Sequence, residues 1–324
     1  MSAAPASQTH PGALDPRAAN IAYHDWQAAE YDDKWGISFD DRCQSYAVDR
    51  YRRVAPIAEW PRGRVLEIGA GTGFLLLNLM RAGLTQQGVV TDISAGMVAH
   101  ATGSAARLGL TVTGQVCDVT ALGLRTASVD VVIGHAVLHH VPDVEAALRE
   151  IVRVLRPGGR FVILGEPNER GERIVRRLCR MTWSVVTAVV SLPPLRRRWA
   201  RPTATLDPAA ALESVVDLHT FRPQALADLA RRAGAVDVGT ATVEATAAWF
   251  GWPVRTLEAA VHPDRLGWRW ANFAYRGWRA LEAVDRCLAP VLPAELHYAV
   301  ALTGRAPAGV VDPAGVVDPA GPGR

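Results

Sequence analysis

Residues 65–75 read Val-Leu-Glu-Ile-Gly-Ala-Gly-Thr-Gly-Phe-Leu. A short apolar run ends in an acid, three glycines follow at alternate positions, and an apolar run at helical spacing comes next. The pattern predicts a buried parallel strand, a tight turn and the start of a helix. Glycine lets the backbone approach a ligand closely and take angles that side chains forbid. The first turn of the helix then offers free N–H groups. Together they point to an adenosine-bearing ligand. The dinucleotide fingerprint needs Gly-x-Gly-x-x-Gly. Gly69 and Gly71 fit it, but the third place holds Phe74 and the third glycine is Gly73. Glu67, two residues before Gly69, can face a cationic ligand group.

The motif Glu-x-Gly-x-Gly-x-Gly resembles the first motif of the class I S-adenosylmethionine-dependent methyltransferases, whose cofactor carries an ammonium and a sulfonium. The order of the next elements strengthens the resemblance. Gly88-Val-Val-Thr-Asp-Ile-Ser94 reads as a second strand ending in Asp92, which can accept both ribose hydroxyls. Ser94 fits an N-cap for a helix over 95–107. Val112–Asp118 reads as strand three, and the resemblance implies that Asp118 meets the adenine amino group while Val119 packs on the ring. Strand four, Val129–Gly134, leads into His135 and the family-like run Leu-His-His-Val-Pro-Asp over 138–143. The apolar positions 144, 147, 148, 151, 152 and 155 predict a helix, stopped by Pro157-Gly158-Gly159, and Arg160–Gly165 is strand five. The resemblance implies a Rossmann-like α/β fold: seven strands, mostly parallel, with an antiparallel last strand and helices on both faces. It also implies a cofactor site built from Tyr31, Glu67, Gly69, Ala70, Gly71, Asp92, Ile93, Met97, Asp118, Val119 and His135. Tyr31 belongs to that set as a cover over the sulfonium, or else packs the N-terminal cap onto the sheet.

The 324 residues, 49% of them hydrophobic, suffice for one large α/β domain with additions. A net charge of +3 selects no partner, and Lys34 is the only lysine in an arginine-rich chain. Four scattered cysteines show neither metal-ligand nor disulfide spacing, so free thiols, a cytoplasmic location and no metal set are expected. The organisation reads as a disordered 1–19, a helical cap over 20–60, and a cofactor-binding core over 61–167. A basic and apolar insertion follows over 168–218, then core again over 219–247 with the last helix from Phe221 and strand six at Val236–Glu244. A Trp-rich substrate roof spans 248–294, the last strand 295–304, and a disordered tail 305–324.

In the first insertion, arginines flank the apolar stretch Met181–Leu192. That suits peripheral membrane contact through 170–201, and it suits a lid packed on the core, which is the more frequent arrangement. The roof holds five tryptophans, of which one or two are expected to face a bulky or amphiphilic acceptor. Methyl transfer to oxygen needs the acceptor aligned and its proton removed. Candidates past strands four and five are Glu166, ranked first with His139, then His140; His219 could enter from the loop before the last helix. No basic stripe with interleaved aromatics marks a nucleic acid as substrate. The expected activity is methylation of a small or amphiphilic molecule at a hydroxyl. Carbon or nitrogen methylation, or a non-catalytic cofactor-binding protein docked to a membrane or partner enzyme, are the alternatives.

Overall fold

The computed structural model of the chain describes residues 15–28, 31–32, 36–56, 60, 63–200 and 216–309. The expected disorder of 1–14 and 310–324 lies outside the described residues. Seven strands form one sheet in the order β3-β2-β1-β4-β5-β7-β6. They are β1 (Val65–Ile68), β2 (Gln87–Asp92), β3 (Thr111–Val116), β4 (Val129–His135), β5 (Leu155–Pro167), β6 (Val236–Val243) and β7 (Ala299–Arg305). Strand β7 runs antiparallel to both β5 and β6, and the β1–β2, β1–β4, β2–β3 and β4–β5 pairs are parallel. The order reverses between β1 and β4, where a doubly wound sheet opens its ligand crevice.

The sheet lies between two apolar layers. All four residues of β1 are buried. Helix α1 (Pro16–Gln27) and helix α2 (Asp41–Arg52) form the cap. Helix α3 (Phe74–Arg81) leaves the glycine turn, and helix α4 (Ala95–Arg107) is capped by Ser94, whose Oγ accepts from the Met97 N–H at 3.0 Å. Helix α5 (Val144–Val154) buries Val144, Ala147, Leu148, Ile151 and Val154, one face at helical spacing. The first insertion is helix α6 (Glu169–Val190) and helix α7 (Pro193–Trp199). Helix α8 (Pro223–Arg232) precedes β6. The roof is helix α9 (Thr246–Ala260) and helix α10 (Trp268–Leu288).

Four boundaries differ from the sequence expectation. Helix α1 begins at Pro16, inside the stretch expected to be disordered, because proline suits the first helical position. Helix α8 starts at Pro223 for the same reason, and Phe221 instead bridges to Asn168. The last strand begins at Ala299, not 295, since a short 3-10 turn occupies Ala294–Leu296, and it continues to Arg305. Strand β5 includes the Pro157-Gly158-Gly159 stop because Leu155 already pairs with Val129.

The roof is tied to the rest by buried charge. Asp285 of α10 accepts from the backbone N–H groups of Ala245, Thr246 and Ala247 at 2.8–3.1 Å, so the start of α9 is capped from another helix. Arg50 of α2 pairs with Glu244 at the end of β6 and with Glu282 of α10. Its guanidinium also lies 4.6 Å from the Tyr46 ring.

Candidate active site

A cavity of ≈ 1130 Å³ lies over the ends of the parallel strands, between cap, insertion and roof. It exceeds the roughly 300–1,000 Å³ of a single small-ligand site, leaving room for two ligands side by side.

One end is the glycine turn. Gly69, Gly71 and Gly73 all have positive φ, at 52°, 52° and 89°. A Cβ on Gly69 would fall 2.2 Å from Val137 Cγ2, so no side chain fits there. Gly71 faces the cavity below Tyr31, whose ring edge is 4.0 Å from where its Cβ would be. Ala70 and Ile93 line the same end. Glu67 is buried and accepts from the Leu76 N–H at 3.1 Å. Burial, with Asp92 nearby, pushes its carboxyl up to about 8. The neutral acid thus waits for a positive charge. Thr72 Oγ1 is buried in the cavity wall with no hydrogen-bond partner. An orphaned hydroxyl beside a glycine turn and an uncompensated acid fit a polar, cationic ligand such as S-adenosylmethionine.

Asp92 lines this end with both oxygens engaged. Oδ2 accepts from Gly71 N and Oδ1 from Ser94 N, each at 2.9 Å. The carboxylate expected to accept both ribose hydroxyls thus also shapes the glycine turn. Asp118 accepts from the Thr120 N–H and hydroxyl through Oδ1, while Oδ2 lies 3.0 Å from Arg17 Nε of the cap. Val119 lines the cavity beside it. Met97, expected as a cofactor contact, is buried inside α4 and does not reach the cavity wall; its part is the backbone bond to Ser94. His135 lines the cavity between Phe74 and Tyr46, with ring centroids at 5.6 and 6.2 Å. Burial lowers its pKa to about 4, so the ring is neutral.

The other end is the turn after β4. Ala136 adopts φ 54°, a left-handed conformation rare for a side-chain-bearing residue, and re-aims the chain there. Glu166, ranked first as the base together with His139, has both carboxylate oxygens committed to the turn after β4. It is fully buried, away from the cavity wall. Oε1 accepts from the N–H groups of Val137 and Leu138 at 2.9 Å each, and Oε2 from His139 N at 3.0 Å and His139 Nδ1 at 2.9 Å. Burial opposes its charge, but His139 and these donors outweigh it and hold the carboxyl below its usual range. Glu166 is the clamp that shapes the turn.

His139 lines the cavity. Its Nδ1 is committed to Glu166, and Nε2 lies 3.8 Å from Asp217 Oδ1. The two carboxylates overcome burial and raise its pKa. His140 stands beside it, ring centroids 3.9 Å apart, and donates from Nδ1 to the Val216 carbonyl at 3.0 Å. Burial, with His139 and His24 alongside, keeps His140 far below the usual histidine range and neutral. His219 donates from Nε2 to Val141 O at 3.0 Å.

Sequence reasoning missed Asp217, His24 and Arg17, all on the cavity wall. No local motif marks them. Asp217 arrives because the Leu218 and His219 N–H groups both donate to the His139 carbonyl, at 2.9 and 3.2 Å. Of the five roof tryptophans, Trp252 and Trp278 line the cavity; Trp268 is 79% exposed and Trp270 bonds Glu258 through Nε1. Among the described residues, no single helix is long and apolar enough to cross a membrane.

A family model described as "Methyltransferase domain" matches residues 66–163. A ubiquinone/menaquinone biosynthesis C-methyltransferase of Desulfotalea psychrophila is 30% identical over 191 residues, covering 58% of this chain and 73% of that protein. An uncharacterized protein of Mycobacterium tuberculosis is 33% identical over 111 residues, 34% of this chain. The chain spans 40% of the length of this and the other mycobacterial relatives it matches. Among solved structures, the [4+2]-cyclase SpnF superposes with a TM-score of 0.58 at 19% identity, over 92% of this chain and 98% of that one. At that identity the likeness is one of fold.

Proposed function

The chain belongs to the S-adenosylmethionine-dependent methyltransferase family, and from that premise we propose that it methylates a hydroxyl of a small, amphiphilic acceptor. The observation that carries this reading is the single cavity joining the glycine turn to the His139–His140–Asp217 end under an aromatic roof. When bound, S-adenosylmethionine supplies a methyl group already activated by its sulfonium.

The chain's own residues supply the rest. Glu67 provides counter-charge, and the Gly69–Gly73 turn allows close approach. Trp252, Trp278 and Phe250 present flat apolar area for the acceptor, and burying it excludes water. Aligning the acceptor oxygen is worth several kcal/mol, up to about 7–11 in the best oriented cases. His139 and Asp217, with Nε2 and Oδ1 3.8 Å apart, line the end of the cavity that this reading gives to the acceptor. A second reading, methylation at carbon, draws on the similarity to the Desulfotalea C-methyltransferase.

The acceptor's amphiphilic character rests on α6. Its second half exposes Met181, Trp183, Val185 and Val189, near the exposed Arg177 and Arg180. An apolar face beside arginines suits an anionic lipid surface. Sedimentation with anionic vesicles tests this, and a protein left in the supernatant at low salt rejects it.

The test of the function is calorimetric titration with S-adenosylmethionine and S-adenosylhomocysteine, followed by release of the latter in the presence of hydroxyl-bearing acceptors. Binding with acceptor-dependent turnover is expected. Failure to bind either compound overturns the reading. Binding without turnover on any acceptor favours a non-catalytic or cyclase-like role.

A further inference from the structure

His139, His140 and Asp217 each bring a ligand atom within 4.8 Å of the others, at the acceptor end of the cavity. We propose that these three side chains bind one divalent first-row cation, which takes an oxygen of the acceptor as a further ligand. The cation site stands on geometry alone; the acceptor's part in it rests on the methyl-transfer reading above.

Asp217 Oδ1 is the centre of the group, 3.8 Å from His139 Nε2 and 3.4 Å from His140 Nδ1. Ligand atoms roughly 2.0–2.2 Å from a shared metal sit on the order of 3–3.5 Å apart, so a small contraction closes the set. The Asp217 side chain, 40% exposed, carries the oxygen that both histidines face.

The surroundings are those of a metal centre. A ligating histidine characteristically gives its other ring N–H to a carboxylate or carbonyl, which fixes tautomer and orientation. His139 does so, through Nδ1 to the buried Glu166 at 2.9 Å. His140 faces Asp217 Oδ1 through Nδ1, at 3.4 Å. Its Nδ1 proton shifts to Nε2 when the cation takes the Nδ1 lone pair, and the Val216 carbonyl, 3.0 Å away, becomes a neighbouring oxygen donor. Two backbone bonds from Leu218 and His219 to His139 O hold the Asp217 segment against the histidine turn. The facing titratable groups are Glu166, Asp217, His24 with its ring 5.6 Å from His140, and Glu172 paired to Arg176 at 2.6 Å. The two carboxylates nearest the histidines favour a cation.

Two imidazoles and one carboxylate suit zinc, iron(II), cobalt(II) or manganese(II), and leave open positions for a substrate oxygen. The task is Lewis-acid work. Coordination makes the acceptor hydroxyl more acidic, and its proton passes to bulk water.

The experiment uses the full chain, stripped with a chelator and titrated with Co²⁺ while visible absorption is followed. One equivalent should bind. Asp217→Asn and His140→Ala should each weaken binding more than 10-fold while keeping the circular dichroism spectrum and the affinity for S-adenosylmethionine. His262→Ala, in the loop between α9 and α10, should bind Co²⁺ as the parent does. Glu166→Gln should weaken it about 10- to 100-fold through His139. No stoichiometric binding, or binding unchanged in Asp217→Asn and His140→Ala, overturns the site. Turnover that survives chelation in a protein that binds no Co²⁺ overturns the cation and leaves His139 as the base. Co²⁺ binding with no methyl transfer upholds the site and rejects the acceptor's role.

Discussion

Oε2 of Glu166 accepts from Nδ1 of His139 at 2.9 Å while also accepting the His139 backbone N–H at 3.0 Å, so one carboxylate oxygen fixes both the ring and the chain of a single residue. Glu166→Gln sets an amide N–H₂ against one of two pairs of N–H donors, and that pair loses its acceptor. The expected loss is about 1–3 kcal/mol of unfolding free energy, measured by urea denaturation. The depressed pKa gives a sign: this stabilisation is present above the usual carboxylate range and is lost as pH falls through the folded-state value. Unchanged stability would show that Glu166 does not clamp the turn.

Glu67 carries the opposite sign. With its carboxyl at about 8, it is largely neutral at pH 7 and ionises when a cation arrives. Cofactor binding should release a proton, and affinity should rise with pH up to about 8, approaching tenfold per unit. In the ligand-free chain, the group's contribution to stability is complete below 4.5 and falls as pH rises to about 8. Calorimetry in buffers of different ionisation enthalpy counts the protons; Glu67→Gln should abolish the release.

Asp92 holds the N–H groups of Gly71 and Ser94. Asp92→Ala should weaken S-adenosylmethionine at least tenfold, about 1.4 kcal/mol, by freeing the glycine turn as well as by removing a ligand contact. Unaltered affinity in calorimetry would remove Asp92 from the site.

Arg50 sits 5% exposed between Glu244 and Glu282. Arg50→Ala strands two carboxylates, and breaking a buried pair this way costs about 3–5 kcal/mol. Chemical denaturation should show that loss, and the triple change Arg50→Met, Glu244→Gln, Glu282→Gln should recover much of it. A single mutant as stable as the parent would show that the network carries no stability.

The strand–turn–helix at 65–75 and the apolar face of α5 were legible because their signals are short-range periodicities. The Ser94 cap was legible for the same reason. What sequence could not give is where a side chain's partners come from. Glu166 looks like a free loop carboxylate until the turn 27–29 residues earlier folds over it. Asp217 has no local signature, because it reaches His139 only through backbone bonds made by its neighbours. Met97 stands near a motif but faces the interior, since a helix sends neighbouring positions to different faces.

The Arg50 pairs join residues 194 and 232 positions apart in sequence. A ribosome making this chain therefore finishes β1, the glycine turn and β4 by residue 135, well before Glu244 or Glu282 exists. The nascent protein holds an open cleft long before it holds a closed chamber. Closing a loop of that length is slow beside local helix and strand formation. Growth of the chain thus sets a schedule in which cofactor recognition matures first and acceptor enclosure comes last.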